Sequence, residues 1–251
     1  MERPAAVECV HVASGYGSAL VMPDVHFSIR PGEIFFILGG SGCGKSTLLK
    51  HMIGLEPPLG GDIRLFGESI VAAEGAARQR LLRSFGMMYQ QGALFGNLTV
   101  LENVCLPLEE FSGLPAALCA DVARRKLAQV GLLAQAEAMP ASLSGGQCKR
   151  AAIARAMALD PKLLFLDEPS AGLDPVTSAG LDALIVRLSR TLGMTVVIVS
   201  HELASIEAIA DRAVYLDRSA GGVLAAGAPA ALRESEHPAV RAFFRREAER
   251  S

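Results

Sequence analysis

Glu33-Ile34-Phe35-Phe36-Ile37-Leu38-Gly39-Gly40-Ser41-Gly42-Cys43-Gly44-Lys45-Ser46-Thr47 decides the fold. Its apolar first part reads as a strand buried on both faces, as in a parallel sheet, and Leu48 to Ile53 continue it as a helix. Between them stands the pattern GxxxxGK[ST], in the strand-before, helix-after context that gives it meaning. Glycines let the backbone curl so that successive N–H groups face one point, and the helix N-terminus adds positive partial charge there. Such a loop cradles phosphates, with Lys45 reaching the β- and γ-phosphates and the Ser46 hydroxyl ligating magnesium. By average residue usage a chance match in a chain of this length is roughly one in a hundred, and the flanking strand and helix lower those odds.

A second apolar run, Leu163-Leu164-Phe165-Leu166, delivers Asp167-Glu168-Pro169. Ligands of open α/β sheets sit at the C-terminal edge of the strands. Two carboxylates closing an apolar strand read there as a magnesium ligand, Asp167, and a proton acceptor for an attacking water, Glu168. Met87 to Tyr89 reads as another strand, followed by Gln90, and Thr195 to Ser200 as another, followed by His201. Taken singly, Gln90 is a strand-end surface residue and His201 a structural histidine; beside the acids and the phosphate loop they read as groups that face a nucleotide. Short strands over 7–12 and 25–29, joined by the turn Ser14-Gly15-Tyr16-Gly17, precede the loop. Tyr16 reads equally as a platform for an adenine ring and as an exposed turn tyrosine.

Residues 92–160 change character. Helical periodicity appears over 100–108, over 115–130 and from Ser144 onward, with no convincing strand, so this stretch reads as a helical lobe inserted into the α/β core. Inside it, Leu143-Ser144-Gly145-Gly146-Gln147 opens a helix with Ser144 as N-cap, which makes a second phosphate site. Two phosphate sites on opposite lobes suit a head-to-tail pair of copies. Asp174-Pro175 opens a helix through Arg190, strands follow at 212–217 and 223–225, and Gly227-Ala228-Pro229 closes the core. The tail from His237 to Ser251 reads as a helix with one apolar stripe, covering the core or docking on a neighbouring subunit.

Hydrophobic residues make up 51% of the chain, and the formal net charge of -2 gives no electrostatic reason to expect nucleic acid. Five scattered cysteines form no CxxC pair, which points to a reducing compartment. Met1-Glu2-Arg3-Pro4 opens no secretory signal. Runs such as Val196-Val197-Ile198-Val199 fall far short of the roughly 18 residues of a membrane span, so membrane association is expected only through a partner.

The phosphate loop, Gln90, LSGGQ, LLFLDEP, SAGLDP and a His-Glu after a strand, in this order, resemble an ABC transporter ATPase subunit over nearly the whole chain. The resemblance implies an α/β, P-loop NTPase fold of the ABC type: a RecA-like parallel sheet core with N-terminal antiparallel strands and an inserted helical lobe. The ATP-binding domain then spans 1–236, with the lobe at about 92–160, and 237–251 is a tail that contacts the other subunit. The implied cofactors are ATP and Mg2+. Gly39, Gly40, Ser41, Gly42, Cys43, Gly44, Lys45, Ser46 and Thr47 would bind ATP, with Tyr16 at the adenine-stacking position. Ser46, Gln90 and Asp167 would hold the metal, while Glu168, Gln90 and His201 would be catalytic. Ser144, Gly145, Gly146 and Gln147 would bind the ATP held by the opposite subunit of a homodimer, and Asp174 would be the D-loop acid at its interface. Gly40 stands where the family often has proline, and Cys148 where a polar residue is common.

A finer resemblance rests on Gln90-Gln91-Gly92-Ala93-Leu94-Phe95, Asn103-Val104, Pro107-Leu108, His201-Glu202-Leu203-Ala204-Ser205-Ile206 and His237-Pro238-Ala239-Val240-Arg241. These are similar to the ATPases of Mla-type systems, which move phospholipid between bacterial membranes. That similarity implies an integral membrane permease, an MCE-type substrate-binding protein, a small regulatory subunit, and a place on the cytoplasmic face of the inner membrane. An ABC importer for amino acids or other small polar solutes would share every ATP residue. A non-transport ABC ATPase acting on DNA or ribosomes is opposed by the single ATPase unit, the lack of heptads and the lack of a basic stripe. A P-loop kinase would have no use for LSGGQ.

Overall fold

Strands β1 (Val7–Tyr16) and β2 (Ala19–Ile29) form a long antiparallel hairpin whose tip is Gly17-Ser18, so Ser14 to Tyr16 belong to a strand and not to the expected turn. Register shifts after Cys9, Val12 and Ser14 interrupt the period-2 pattern by which a strand shows in sequence. That is why only parts of both strands read as strands. Strand β3 (Ile34–Gly39) is buried at all six positions and leads through the phosphate loop into helix α1 (Lys45–Met52). Then come β4 (Gly60–Leu65), β5 (Glu68–Ser69) and helix α2 (Gly75–Arg83).

The computed structural model describes residues 4–245. The chain forms two compact units, one from its two ends (up to Leu82 and from Thr195) and one from Arg83 to Met194. The second unit holds β6 (Phe85–Met88), α3 (Val100–Phe111), α4 (Ala116–Gln129), two short 3-10 turns, α5 (Gly145–Ala156), β7 (Leu163–Asp167) and α6 (Pro175–Leu192). The first unit resumes with β8 (Thr195–Val199), α7 (Leu203–Ile209), β9 (Arg212–Asp217), β10 (Gly222–Gly227), α8 (Pro229–Arg233) and α9 (Pro238–Arg245).

In the first unit the strands run β5-β4-β1-β2-β10-β9-β3-β8. The N-terminal part is antiparallel, whereas β3 runs parallel to β8 (Ile37 beside Val199) and to β9 (Ile37 beside Val214). β10 joins the two parts, antiparallel to β9 and touching β2 through Gly222 and Asp24. A Cβ at Gly222 would lie 2.0 Å from the Asp24 carbonyl oxygen, so the junction admits only glycine. In the second unit β6 and β7 are parallel, with Met88 beside Leu166, and α3, α4 and α5 pack on one another.

The expected closure at Gly227-Ala228-Pro229 is instead the start of α8, with Ala228 as N-cap and Pro229 in its first turn. At seven and five residues, α7 and α8 are too short to show a 3.6-residue period. Within the expected tail helix, α9 buries Val240 and Phe244, and the Phe243 ring meets Tyr215 edge-on. Residues 246–251 of that tail lie outside the described residues.

Candidate active site

The first unit carries the phosphate loop. At Gly39 (φ 149°) a Cβ would stand 2.4 Å from the Leu216 carbonyl oxygen and 2.7 Å from Cys43 Sγ, so the chain leaves β3 through a gap that fits glycine alone. Gly44 (φ 105°) is the N-cap of α1, with no side-chain cap and no acid in the first turn. The first N–H groups of α1 therefore face the loop's concavity with the positive end of the helix dipole. Lys45 Nζ donates to the carbonyls of Gly39 (2.7 Å) and Gly40 (2.9 Å), which holds the ammonium over that concavity. A Cβ at Gly40 would meet open space, so the departure from the family pattern there costs no packing.

Tyr16 is 62% exposed. With Val21, Gly44, Lys45, Thr47 and Arg218 it lines a cleft of about 320 Å³ beside the phosphate loop. A purine and ribose need a space of that order, and Tyr16 stands at its wall. Arg218, on the turn between β9 and β10, has no motif around it and was not foreseen from sequence. His201 follows β8, the neighbour of β3, so it leaves the sheet at the same edge as the phosphate loop.

The second unit carries the acids. β7 ends at Asp167, and both Asp167 and Glu168 are half-buried. Gln90, after β6, leaves the same edge of this strand pair. Glu168 sits at φ 46°, a left-handed conformation that costs a non-glycine residue about 1–2 kcal/mol and recurs where function demands it. Its carbonyl accepts from the Ala171 N–H (3.2 Å) and from Lys149 Nζ (3.3 Å). Lys149, on α5, also donates to the Gln90 carbonyl. Burial pushes the Lys149 ammonium below the usual lysine range, and the charges of Asp167 and Glu168 pull it part of the way back.

The segment after β6 is clamped beyond Gln90. Arg155 donates to the carbonyls of Gly92 (2.8 Å) and Ala93 (2.7 Å). Asn103, fully buried on α3, accepts from the Phe95 N–H (2.8 Å) and donates to the carbonyls of Phe95, Leu98 and Thr99. Lys149 and Arg155 were not singled out from sequence, and Asn103 only as part of the finer resemblance. Their one local signal is a polar residue among the apolar positions of a helix.

The LSGGQ segment opens α5 as expected, with Ser144 as N-cap. Its hydroxyl accepts from the Gln147 N–H (3.3 Å), and the Gln147 side chain accepts from the Ser144 N–H (2.9 Å), closing a capping box. Ser144 and Gly145 are exposed, whereas a Cβ at Gly146 would press to 2.5 Å of Thr177 Cγ2. Asp174 caps α6, accepting from the N–H groups of Val176 and Thr177 (3.0 Å each) and from the Thr177 hydroxyl (2.5 Å). The Thr177 bonds, first that of its hydroxyl, hold the Asp174 carboxyl below its ordinary range.

A phosphate loop after β3, an acid pair after β7 and a capped LSGGQ helix define an ATP-binding cassette, a P-loop ATPase with a helical subdomain. The chain belongs to the ABC transporter family, whose model matches residues 22–171, and it is an ATP-hydrolysing subunit of that family. It is 38% identical over 247 residues to the intermembrane phospholipid transport system ATP-binding protein MlaF of Escherichia coli (strain K12), spanning 97% of this chain and 91% of that one. It is 37% identical over 240 residues to the methionine import ATP-binding protein MetN of Cereibacter sphaeroides, spanning 95% and 67%. A solved dimeric, post-hydrolysis ATP-binding cassette bound to ADP and Pi matches with a TM-score of 0.79 at 30% identity, covering 88% of this chain and 98% of that one. ABC ATPases work as dimers joined to membrane permeases, and no helix among the described residues is long and apolar enough to cross a membrane.

Proposed function

We propose that this chain powers phospholipid movement between bacterial membranes, as a homodimeric ATPase on the cytoplasmic face of the inner membrane. The observation that carries the reading is 38% identity, in an alignment that spans 97% of the chain, to a phospholipid transport subunit. Residues 1–236 form the ATP-binding domain, with a helical lobe at about 92–160, and 237–251 is a tail that contacts the second copy. A permease docks near residues 90–106, where Phe95 is 50% exposed. An MCE-type protein supplies the lipid, and a small regulatory subunit completes the assembly.

The residues suit the chemistry. The loop N–H groups and Lys45 bind the phosphates of ATP, and Tyr16 stacks on the adenine. Ser46, Gln90 and Asp167 offer oxygen donors only, the set a small hard cation takes, so they suit Mg2+, which when bound neutralises phosphate charge. Glu168 accepts the proton of the attacking water, Gln90 orients that water, and His201 hydrogen-bonds the γ-phosphate. Ser144 to Gln147 contact the ATP held by the other copy, and Asp174 lies at the interface.

The competing reading is an importer of amino acids, favoured by the 37% identity to a methionine import subunit. Affinity purification of the tagged protein from gently solubilised membranes, with mass spectrometry of proteins and lipids, separates the two. A permease with an MCE-type protein and phospholipid is expected. A different permease without lipid would overturn the substrate and leave the ATPase standing.

A further inference from the structure

Lys149 stands two residues beyond LSGGQ on α5 and is only 7% exposed. Its ammonium donates to the main-chain carbonyls of Gln90 and Glu168, the latter at 3.3 Å. It reaches both residues through the backbone and so leaves their side chains to other partners. We propose that Lys149 is a positioning residue for hydrolysis, fixing the peptides of Gln90 and Glu168 to the helix that begins at the signature segment. This rests on the assignment of Glu168 as the base.

Burying an ammonium is unfavourable unless its donors are satisfied, and a methionine would fill the same space without that penalty. Packing alone therefore does not account for a lysine here. The Glu168 backbone is left-handed, φ 46°, a conformation that persists only where the surroundings impose it. Lys149 holds the carbonyl of that same residue. Without the ammonium the Glu168 carbonyl loses one donor and keeps the Ala171 N–H at 3.2 Å, so the peptide gains freedom to tilt and takes the carboxylate with it.

The same helix grips the segment a second time. Arg155, six residues further on, holds the carbonyls of Gly92 and Ala93, and a Cβ at Gly92 would already stand 3.4 Å from Ala152. The stretch from Gln90 to Ala93 is thus tied to α5 at both ends. Of the two ties, Lys149 is the one that also reaches Glu168. A displacement of that segment by a docked partner is passed to the base through this side chain.

The test is steady-state hydrolysis by the assembled complex carrying Lys149→Met or Lys149→Arg, with kcat and KM for ATP measured together and thermal unfolding as a check on the fold. Misplacing a catalytic group by an ångström costs about 100-fold, so kcat of Lys149→Met is expected to fall about 10- to 100-fold. KM stays within about threefold, since the phosphate loop is untouched. Lys149→Arg, whose fork also donates to two carbonyls, recovers most of the rate. Wild-type kcat in Lys149→Met overturns the proposal. So does a joint change in kcat and KM that arginine rescues no better than methionine does, which is the signature of lost packing. Should Lys149→Met not fold, Lys149→Gln keeps part of the donor set and is expected at intermediate kcat; full activity there is equally fatal. Glu168→Gln is run in parallel. If it turns over like wild type, the base assignment falls and takes this proposal with it. If it is silent while Lys149→Met is active, Lys149 alone loses its role.

Discussion

Asn103 holds the segment that carries Phe95, and the strength of that hold can be worked out from its contacts. Its Oδ1 accepts from the Phe95 N–H at 2.8 Å, and its Nδ2 donates to the carbonyls of Phe95 (3.1 Å), Leu98 (3.2 Å) and Thr99 (2.9 Å). Asn103→Ala removes all four bonds. The Thr99 carbonyl keeps the Asn103 N–H at 2.9 Å, so the losses that matter are at Phe95 and Leu98. Stripping a buried donor of its acceptor costs about 1–3 kcal/mol. Phe95 is half exposed and water replaces part of the bond, so about 1–2 kcal/mol is expected at its N–H. That corresponds to roughly 5- to 30-fold faster amide exchange at Phe95. Hydrogen exchange resolved to this amide is the assay, because it reads local opening without requiring two-state unfolding. Asn103→Leu is the control, restoring volume without hydrogen bonds, and exchange should stay fast. Unchanged exchange in Asn103→Ala, or slow exchange restored by leucine, would refute the reasoning, since the hold would then be packing.

Three further outcomes follow from the same geometry. Glu168→Gln keeps ATP binding and loses about 100-fold or more in turnover, the scale of a missing general base, leaving a stable ATP-bound dimer detectable by gel filtration; turnover near wild type would unseat the base. Gly146→Ala pushes a methyl to 2.5 Å of Thr177 Cγ2 and is expected to cost about 1–3 kcal/mol by overpacking. Adding Thr177→Ser, which removes that methyl and keeps the hydroxyl on Asp174, should return most of the loss in a urea titration. Bonds from the Thr99 N–H and hydroxyl hold the Glu102 carboxyl below its ordinary range. A lowered folded value stabilises above the unfolded pKa and is lost as pH falls through the folded one. The advantage of wild type over Glu102→Gln should therefore be present at neutral pH and vanish in acid, as thermal melts across pH would show.

The parts that were legible in the sequence share one property: their requirements are local. The phosphate loop needs a backbone curl and a helix N-terminus within nine residues, Gly39 to Thr47. The LSGGQ helix needs a serine cap, which formed as expected; the glutamine three positions on closes a capping box that was not foreseen from sequence. An apolar run ending in Asp167-Glu168 shows a buried strand and its loaded edge without reference to anything distant. Local requirements also fixed where helices α3 to α6 lie.

The tertiary structure decided the rest. The β1 bulges, with His11 at φ 49°, arise from pairing with β2 and β4 and leave no periodic trace. The left-handed Glu168, just after β7, has its carbonyl held both by the nearby Ala171 N–H and by Lys149 on α5. Lys149 finds its acceptors 59 and 19 residues away in the chain and Arg155 finds its own 62 and 63 away, and those acceptors are main-chain carbonyls, which every residue possesses and no side-chain pattern marks. A sequence therefore advertises the groups that meet the nucleotide, since that chemistry selects residue types at short spacing. It is silent about the buried donors that hold those groups in place, because a carbonyl becomes a specific partner only once the fold has brought it there.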